Sequence, residues 1–386
     1  MRNDGTVVTA NDPTSGAGAT VRARWIAWSL RPELRPSVIA EIVRARGGDP
    51  PALPVREGDL PVGLELRPND LKLLRAPAPD SAAVAAMEER AVARGCRILT
   101  PEDGGWLEGF WREMTDPPPA LFVEGDLHAP DQPVVAIVGS RHPTATGVEL
   151  ARGIARDLAA QGITIVSGLA LGIDGAAHRG ALDVEGHTVA VLGSGVDRPT
   201  PPSHAPLAAS ILRSGGALLS EFPLGMDPRP LHFPRRNRII AGFARVIVIV
   251  EGSRRSGARS TVDHALAIGR EVVAVPRDPI HEGSALPNIL LRSGAAPVRS
   301  ALDILEILEG CCGAARGPSL IDADDSALLD LFETGRPRTV DAIARAAGRP
   351  ADQVMQSLAR LELAGRARRL PGPRFAPIGA HSGRGT

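Results

Sequence analysis

Several glycine-rich stretches, each placed where a run of β-branched residues stops, carry the side chains that bind anions. The first is V-A-I-V-G-S-R, in which Gly139 permits a tight turn, Ser140 supplies a hydroxyl donor and Arg141 a fixed cation. The second runs from Ser167 to His178 as S-G-L-A-L-G-I-D-G-A-A-H, where Gly168 and Gly172 allow close backbone approach. Asp174 stands where it caps the following helix or hydrogen-bonds within the core, and His178 on an Ala-rich helix reads as a structural histidine. The most informative stretch is F-P-R-R-N-R-I-I-A-G, Phe233 to Gly242. Between Pro228 and Val250 lie five arginines and no acidic residue. A one-sign cluster of Arg235, Arg236, Asn237 and Arg238 suits phosphate clamping, with Phe233 available to stack on a base. The next apolar run ends E-G-S-R-R-S-G-A-R, adding Ser256, Gly257 and Arg259. Three strand-end loops thus converge on anion binding. Glu221 and Glu251 also lie near strand ends, and a structural or hydrogen-bonding role is expected of both.

Composition excludes several chemistries. Lys72 is the only lysine, so a Walker A loop, a Schiff base and a kinase-type lysine have no candidate in a suitable context. No G-x-S-x-G elbow, H-E-x-x-H or metal-ligand cluster occurs, and G-x-G-x-x-G is absent. No catalytic residue, metal or cofactor is therefore expected. Cys96 and the adjacent Cys311 and Cys312 form neither a disulfide framework nor a zinc set, which fits a reducing cytoplasm. No apolar leader or membrane-length run appears. With Lys+Arg 44 against Asp+Glu 44, the formal charge is zero, so a polyanion must be recognised by a local patch.

These loops need a scaffold, and the alternation of short β-branched runs with Ala-rich helical stretches supplies one. Val134–Val138, Ile163–Val166, Thr188–Leu192, Ala217–Leu219, Val246–Val250 and Glu271–Val275 read as strands buried on both faces of a mostly parallel, doubly wound α/β sheet. Arg97–Thr100 and Leu121–Val123 extend it. The 386 residues exceed one ordinary domain of roughly 150. The expected organisation is a disordered tail over 1–20, a small helical domain over 21–94 and a Rossmann-like domain over 95–312. A linker over 313–325, a winged-helix domain over 326–378 and a final tail over 379–386 follow. The winged helix rests on helices at 327–332, 340–347 and 351–364 and a basic hairpin from Arg366 to Phe375, turning at Pro371-Gly372.

At the quoted motifs, together with V-A-V-L-G-S-G-V-D, L-L-S-E-F-P and R-E-V-V-A-V-P, the chain resembles the DprA/Smf family of DNA-processing proteins. The motifs occur in family order from about Cys96 to Leu308, and L-A-R-L-E-L-A-G resembles the family's winged-helix end. The resemblance implies an extended Rossmann-like domain behind a SAM-like helical domain. It implies a non-enzymatic, cytoplasmic homodimer that binds and protects single-stranded DNA and needs no nucleotide cofactor. It further implies partnership with RecA recombinase, which the family loads during natural transformation, and with single-stranded-DNA-binding protein. Carried over, Ser140 and Arg141 contact phosphate, with Gly139 and Gly168 beside them, while Arg235, Arg236, Asn237 and Arg238 build the pocket with Phe233, Ser256, Gly257 and Arg259. His187 stands where the family has a pocket lysine and Leu171 where it has a basic residue. Arg259 and Arg277 are cations gained. Thr146 and Thr200 stand near the family's turn tyrosines. Two other classes remain open on the residues: a Rossmann-like enzyme or sensor of a nucleotide-derived ligand, and a winged-helix transcription regulator.

Overall fold

The computed structural model describes residues 16–105, 107–127, 133–311, 328, 331, 338–363, 367–370 and 374–377. The chain divides into two compact units, Met1–Leu308 and Glu309–Thr386.

The first unit opens with helices α1 (Gly16–Ser29), α2 (Pro36–Ala45), α3 (Pro68–Arg75) and α4 (Ser81–Arg94). Helix α1 therefore starts inside the span expected as a tail. Proline in the first turn of α2 and α3 presets the backbone without losing a hydrogen bond. Asp80 accepts from the Ala83 N–H to cap α4. Trp28, Leu34, Val38, Ile39, Ile42, Val55 and Leu74 give these helices a core of their own. Ile26, Val84, Met87 and Ala91, however, pack into one core with Ile98, Phe122, Ala190 and Leu192 of the sheet.

The sheet has nine strands: β1 (Cys96–Leu99), β2 (Leu121–Gly125), β3 (Val135–Val138), β4 (Ile165–Ser167), β5 (Thr188–Val191), β6 (Ala217–Ser220), β7 (Val246–Ile249), β8 (Glu271–Ala274) and β9 (Ala296–Pro297). Their order is β1-β2-β6-β5-β4-β3-β7-β8-β9. The block from β6 to β9 is parallel, while β2 joins β6, and β1 joins β2, antiparallel. The expected strands are present within a residue or two, and β9 is an addition at the edge.

Between them run α5 (Leu107–Glu113), α6 (Ala145–Ala159), α7 (Ile173–Leu182), α8 (Ala205–Arg213), α9 (His232–Phe243), α10 (Ala258–Ala267), α11 (Ala285–Arg292) and α12 (Ala301–Cys311). Alternate residues of β3 face opposite layers, as period-two geometry requires. Val135 and Ile137 join the core under α6, α7 and α12, whereas Ala136 and Val138 join the one under α5, α9 and α10. From β3 the chain moves outward through β4, β5 and β6, then returns to β7 on the other side of β3. Ala136 accordingly pairs with Val166 on one side and Ile247 on the other. This reversal opens a crevice beyond the carboxyl ends of the strands. No helix among the described residues is long and apolar enough to cross a membrane.

In the second unit, β10 (Arg338–Thr339), α13 (Val340–Ala347), α14 (Ala351–Leu363), β11 (Ala367–Leu370) and β12 (Arg374–Pro377) form an antiparallel three-stranded sheet, order β10-β12-β11, with two helices. Thr339 accepts from the Ala342 N–H to start α13, and Gly348 ends it at φ 64°. Val340, Ile343, Val354, Leu358, Leu361 and Phe375 make its core with Leu328 and Leu331. Those two leucines are the described part of the helix expected over 327–332. The linker over 313–325, the turn at Pro371-Gly372 and the tail over 379–386 lie outside the described residues.

His178 shows how far the sheet domain dehydrates a polar group. Its Nδ1 lies 2.8 Å from Thr188 Oγ1, whose own hydroxyl donates to the Ile165 carbonyl. Thr188 can then only accept, so the histidine proton sits on Nδ1 and the buried Nε2 keeps a bare lone pair. Burial pushes the His178 pKa down to about 3. The unfolded chain binds this proton below 6.5 and the folded chain does not, so stability is full above 6.5 and lost as pH falls toward 3. Denaturant unfolding of the wild type between pH 6 and pH 4 is expected to weaken by up to about 1.4 kcal/mol per pH unit from this group. His178→Gln is expected to flatten that slope, and an unchanged slope would contradict the assignment.

Candidate nucleic-acid interface

A cleft of about 740 Å³ lies over the crevice and is lined from five segments. Gly139, Ser140, Arg141 and His142 come from the loop after β3, and Ala170 and Asp174 from the turn into α7. Pro230, Phe233, Arg236 and Asn237 belong to the start of α9. Ser253, Ser256, Gly257 and Thr261 follow β7, and His281, Glu282 and Gly283 follow β8.

Arg236 is the fixed cation at the base of this cleft, only 3% exposed. Its Nε donates to Asn237 Oδ1 at 3.1 Å, and its Nη1 donates to the carbonyls of Gly168 (2.6 Å) and Val191. Loss of water pushes its pKa down to about 10, which leaves it protonated at neutral pH. Asp174 is its carboxylate neighbour, but no ion pair joins them among the described residues. Asp174 accepts from the Gly168 N–H at 3.2 Å, and desolvation raises its pKa. The guanidinium's direct hydrogen bonds go to neutral groups, and Asp174 acts on it only as a nearby charge.

Close packing of loops makes this arrangement possible. A Cβ on Gly168 would sit 2.5 Å from the Arg236 guanidinium, so only glycine admits that side chain. Gly172, at φ 78°, would place a Cβ 2.3 Å from the Ser140 carbonyl, which also accepts from the Ile173 N–H. Asn237 Nδ2 donates to the Gly257 carbonyl (3.1 Å) and Ser260 Oγ (2.7 Å), tying α9 to the loop after β7. Gly252 N–H donates to the Gly283 carbonyl, tying that loop to the one after β8. At the rim the exposed Arg141 guanidinium lies over Phe233, 5.3 Å from the ring centroid.

The structure thus gathers Gly139, Ser140, Arg141, Phe233, Arg236, Asn237, Ser256 and Gly257 around one cleft and seats Gly168 directly behind Arg236. Four other expected site residues lie elsewhere. Arg235 points to the other side of α9, where Nη2 donates to Glu221 Oε2 at 2.7 Å and Nη1 to the carbonyls of Pro32 and Leu34. Arg238, 2% exposed, donates to the same Glu221 oxygen at 2.8 Å, and its Nε lies 3.3 Å from Asp116. Glu221 is wholly buried, and its two arginines hold its pKa below the usual carboxylate range against the opposing effect of desolvation. His187 precedes β5 and so lies at the amino edge of the parallel sheet, opposite the cleft. It bridges Thr164 Oγ1 (3.1 Å) and the Asp126 carbonyl (3.0 Å). Arg259 is exposed on the first turn of α10 and does not line the cleft. Arg277 is engaged by Glu251 and by Thr144 Oγ1 at 2.8 Å. Glu251 also accepts from the Thr144 N–H and so anchors the start of α6.

Sequence reasoning named Arg277 in the loop after β8 but missed the part that lines the cleft, His281, Glu282 and Gly283. Its position after a parallel strand was the available signal.

An open, mostly parallel α/β sheet with an arginine-bearing cleft at its switch point defines a Rossmann-like fold. Comparison with known proteins gives the family. The pattern of DNA recombination-mediator protein A matches residues 97–309, and that of the DprA winged helix domain matches residues 314–373. The chain is 43% identical over 283 residues to Protein Smf of Escherichia coli (strain K12), covering 71% of this chain and 76% of that protein. It is 40% identical over 299 residues to the putative DNA processing protein DprA of Mycobacterium tuberculosis, covering 72% and 76%. The X-ray structure of DNA processing protein A from Streptococcus pneumoniae superposes with TM-score 0.56 at 29% identity, over 73% of this chain and 97% of that one. DNA processing protein A from Helicobacter pylori, described for its single-stranded DNA binding mode, superposes with TM-score 0.50 at 27% identity, over 56% and 96%. The chain belongs to the DprA/Smf family of DNA-processing proteins.

The two arginine environments separate by stability. Arg238→Ala removes one of two cations from buried Glu221 and is expected to lower unfolding free energy by about 3 kcal/mol or more. Arg141→Ala, at an exposed rim, is expected to stay within about 0.5 kcal/mol of wild type. Similar denaturation midpoints for the two variants would contradict these placements.

Proposed function

We propose that the strand-end cleft binds the backbone of single-stranded DNA, with a phosphate received by Arg141, Ser140 and the field of Arg236. The observation that carries this reading is a buried guanidinium without a carboxylate ion pair beneath an exposed one, at the switch point of the sheet. Ser256 and Gly257 bring a further hydroxyl and backbone to the same cleft, while Phe233 offers an aromatic ring at its rim. Family membership and the single-stranded DNA binding of the Helicobacter pylori relative support the choice of ligand. On this reading the protein is a non-enzymatic recombination mediator that protects incoming single strands and helps deliver them to RecA recombinase during natural transformation. It works as a homodimer, alongside single-stranded-DNA-binding protein. Of the carboxylates at the strand ends, Glu221 is committed to two arginines and Glu251 to Thr144 and Arg277, while Asp174 and Glu282 line the cleft itself.

Arg141→Ala is expected to weaken binding of an oligothymidylate and to reduce the slope of log K against log salt by about 0.7, one phosphate contact's share on a single strand. Wild-type protein is expected to prefer that strand to duplex of equal length, with little dependence on base sequence. Unchanged affinity and slope in the folded variant, or tight sequence-specific duplex binding, would overturn the reading.

A further inference from the structure

Three large aliphatic side chains stand in water beside the cleft: Leu171 is 42% exposed, Leu231 83% and Ile280 92%. Each adjoins a cleft-lining residue, respectively Ala170, Pro230 and His281, on three different loops. Neighbouring Cα atoms are about 3.8 Å apart, so the backbone of each stands next to the cleft lining. Two of them sit on well-tied backbone. The His232 ring stacks on Phe222 with centroids 4.0 Å apart, and the His232 N–H donates to the Arg229 carbonyl, fixing the turn that holds Leu231 out. Ile280 N–H donates to Asp278 Oδ1 at 2.9 Å, and its loop is pinned to the one after β7 through Gly252 and Gly283.

A phosphate alone uses none of this apolar surface. Duplex DNA presents phosphates too, but its base faces are stacked inside the helix. A single strand held by one phosphate brings unstacked bases to either side of it, and their faces are the apolar groups available to cover the rim. Phe233 is already partly covered by Arg141, so it does not supply the whole base-facing surface. We propose that Leu231 and Ile280, with Leu171 beside them, form an aliphatic rim that packs against the bases flanking the bound phosphate, so that the cleft selects unpaired bases as well as negative charge. This inference rests on the reading of the cleft as a single-strand site.

The test compares wild type, Leu231→Ser/Ile280→Ser and Arg141→Ala on two ligands of equal length and charge, an oligothymidylate and an oligomer of abasic deoxyribose phosphates. Both serine positions are exposed, and matching unfolding midpoints check that the fold is intact. The double variant is expected to lose roughly fivefold to tenfold in affinity for the thymidylate and less than about twofold for the abasic oligomer, with an unchanged salt slope. Arg141→Ala is expected to weaken both ligands and lower both slopes. No loss on the thymidylate, or equal loss on both ligands, overturns the rim while leaving the phosphate site intact. If Arg141→Ala changes neither ligand, the phosphate site lies elsewhere and the rim fails with it.

Discussion

The arrangement depends on burying the Arg236 guanidinium at the carboxyl edge of a parallel sheet without giving it a carboxylate ion pair. A buried charge is costly unless hydrogen bonds replace its water, and here the carbonyls of Gly168 and Val191 and the amide of Asn237 do so. Glycine at 168 follows from this burial, because a side chain there would occupy the guanidinium's space. Desolvation in the same environment raises the pKa of Asp174, against the opposing pull of Arg236.

Helix α9 serves two sites because its residues face in different directions. Arg235 and Arg238, three apart, share a face and meet Glu221, whereas Arg236 and Asn237 turn toward the cleft. The Glu221 side is structural: Arg235 reaches the carbonyls of Pro32 and Leu34, between α1 and α2, and so joins the N-terminal helices to the helix that presents the cleft cations. Arg229 adds an exposed pair with Glu33 in the same region. Displacement of α9 would therefore disturb the cleft even where no cleft residue is changed.

The sheet was legible because strands buried on both faces write themselves as continuous apolar runs, and the strand-end rule then located most of the cleft. The two-residue β9 was not legible, being too short to show any period. The stretch F-P-R-R-N-R was read as a single cationic cluster because the partner of half of it, Glu221, lies fourteen residues upstream across a loop. Helical spacing within the stretch held the signal that would have divided it. His187 was assigned by resemblance, yet a residue preceding a parallel strand falls at the opposite edge from the residues that follow one. In the loop after β8 the cation Arg277 is the residue that stands out in sequence, whereas the cleft is lined by His281, Glu282 and Gly283, whose types carry no phosphate signal.

The most direct measurement is a crystal structure of the protein with a short oligothymidylate. The account predicts a backbone phosphate in the strand-end cleft, hydrogen-bonded to Arg141 and the Ser140 hydroxyl and lying over Arg236. A strand bound along the exposed Arg254, Arg255 and Arg259, or on the second unit, with the cleft left empty, would contradict it.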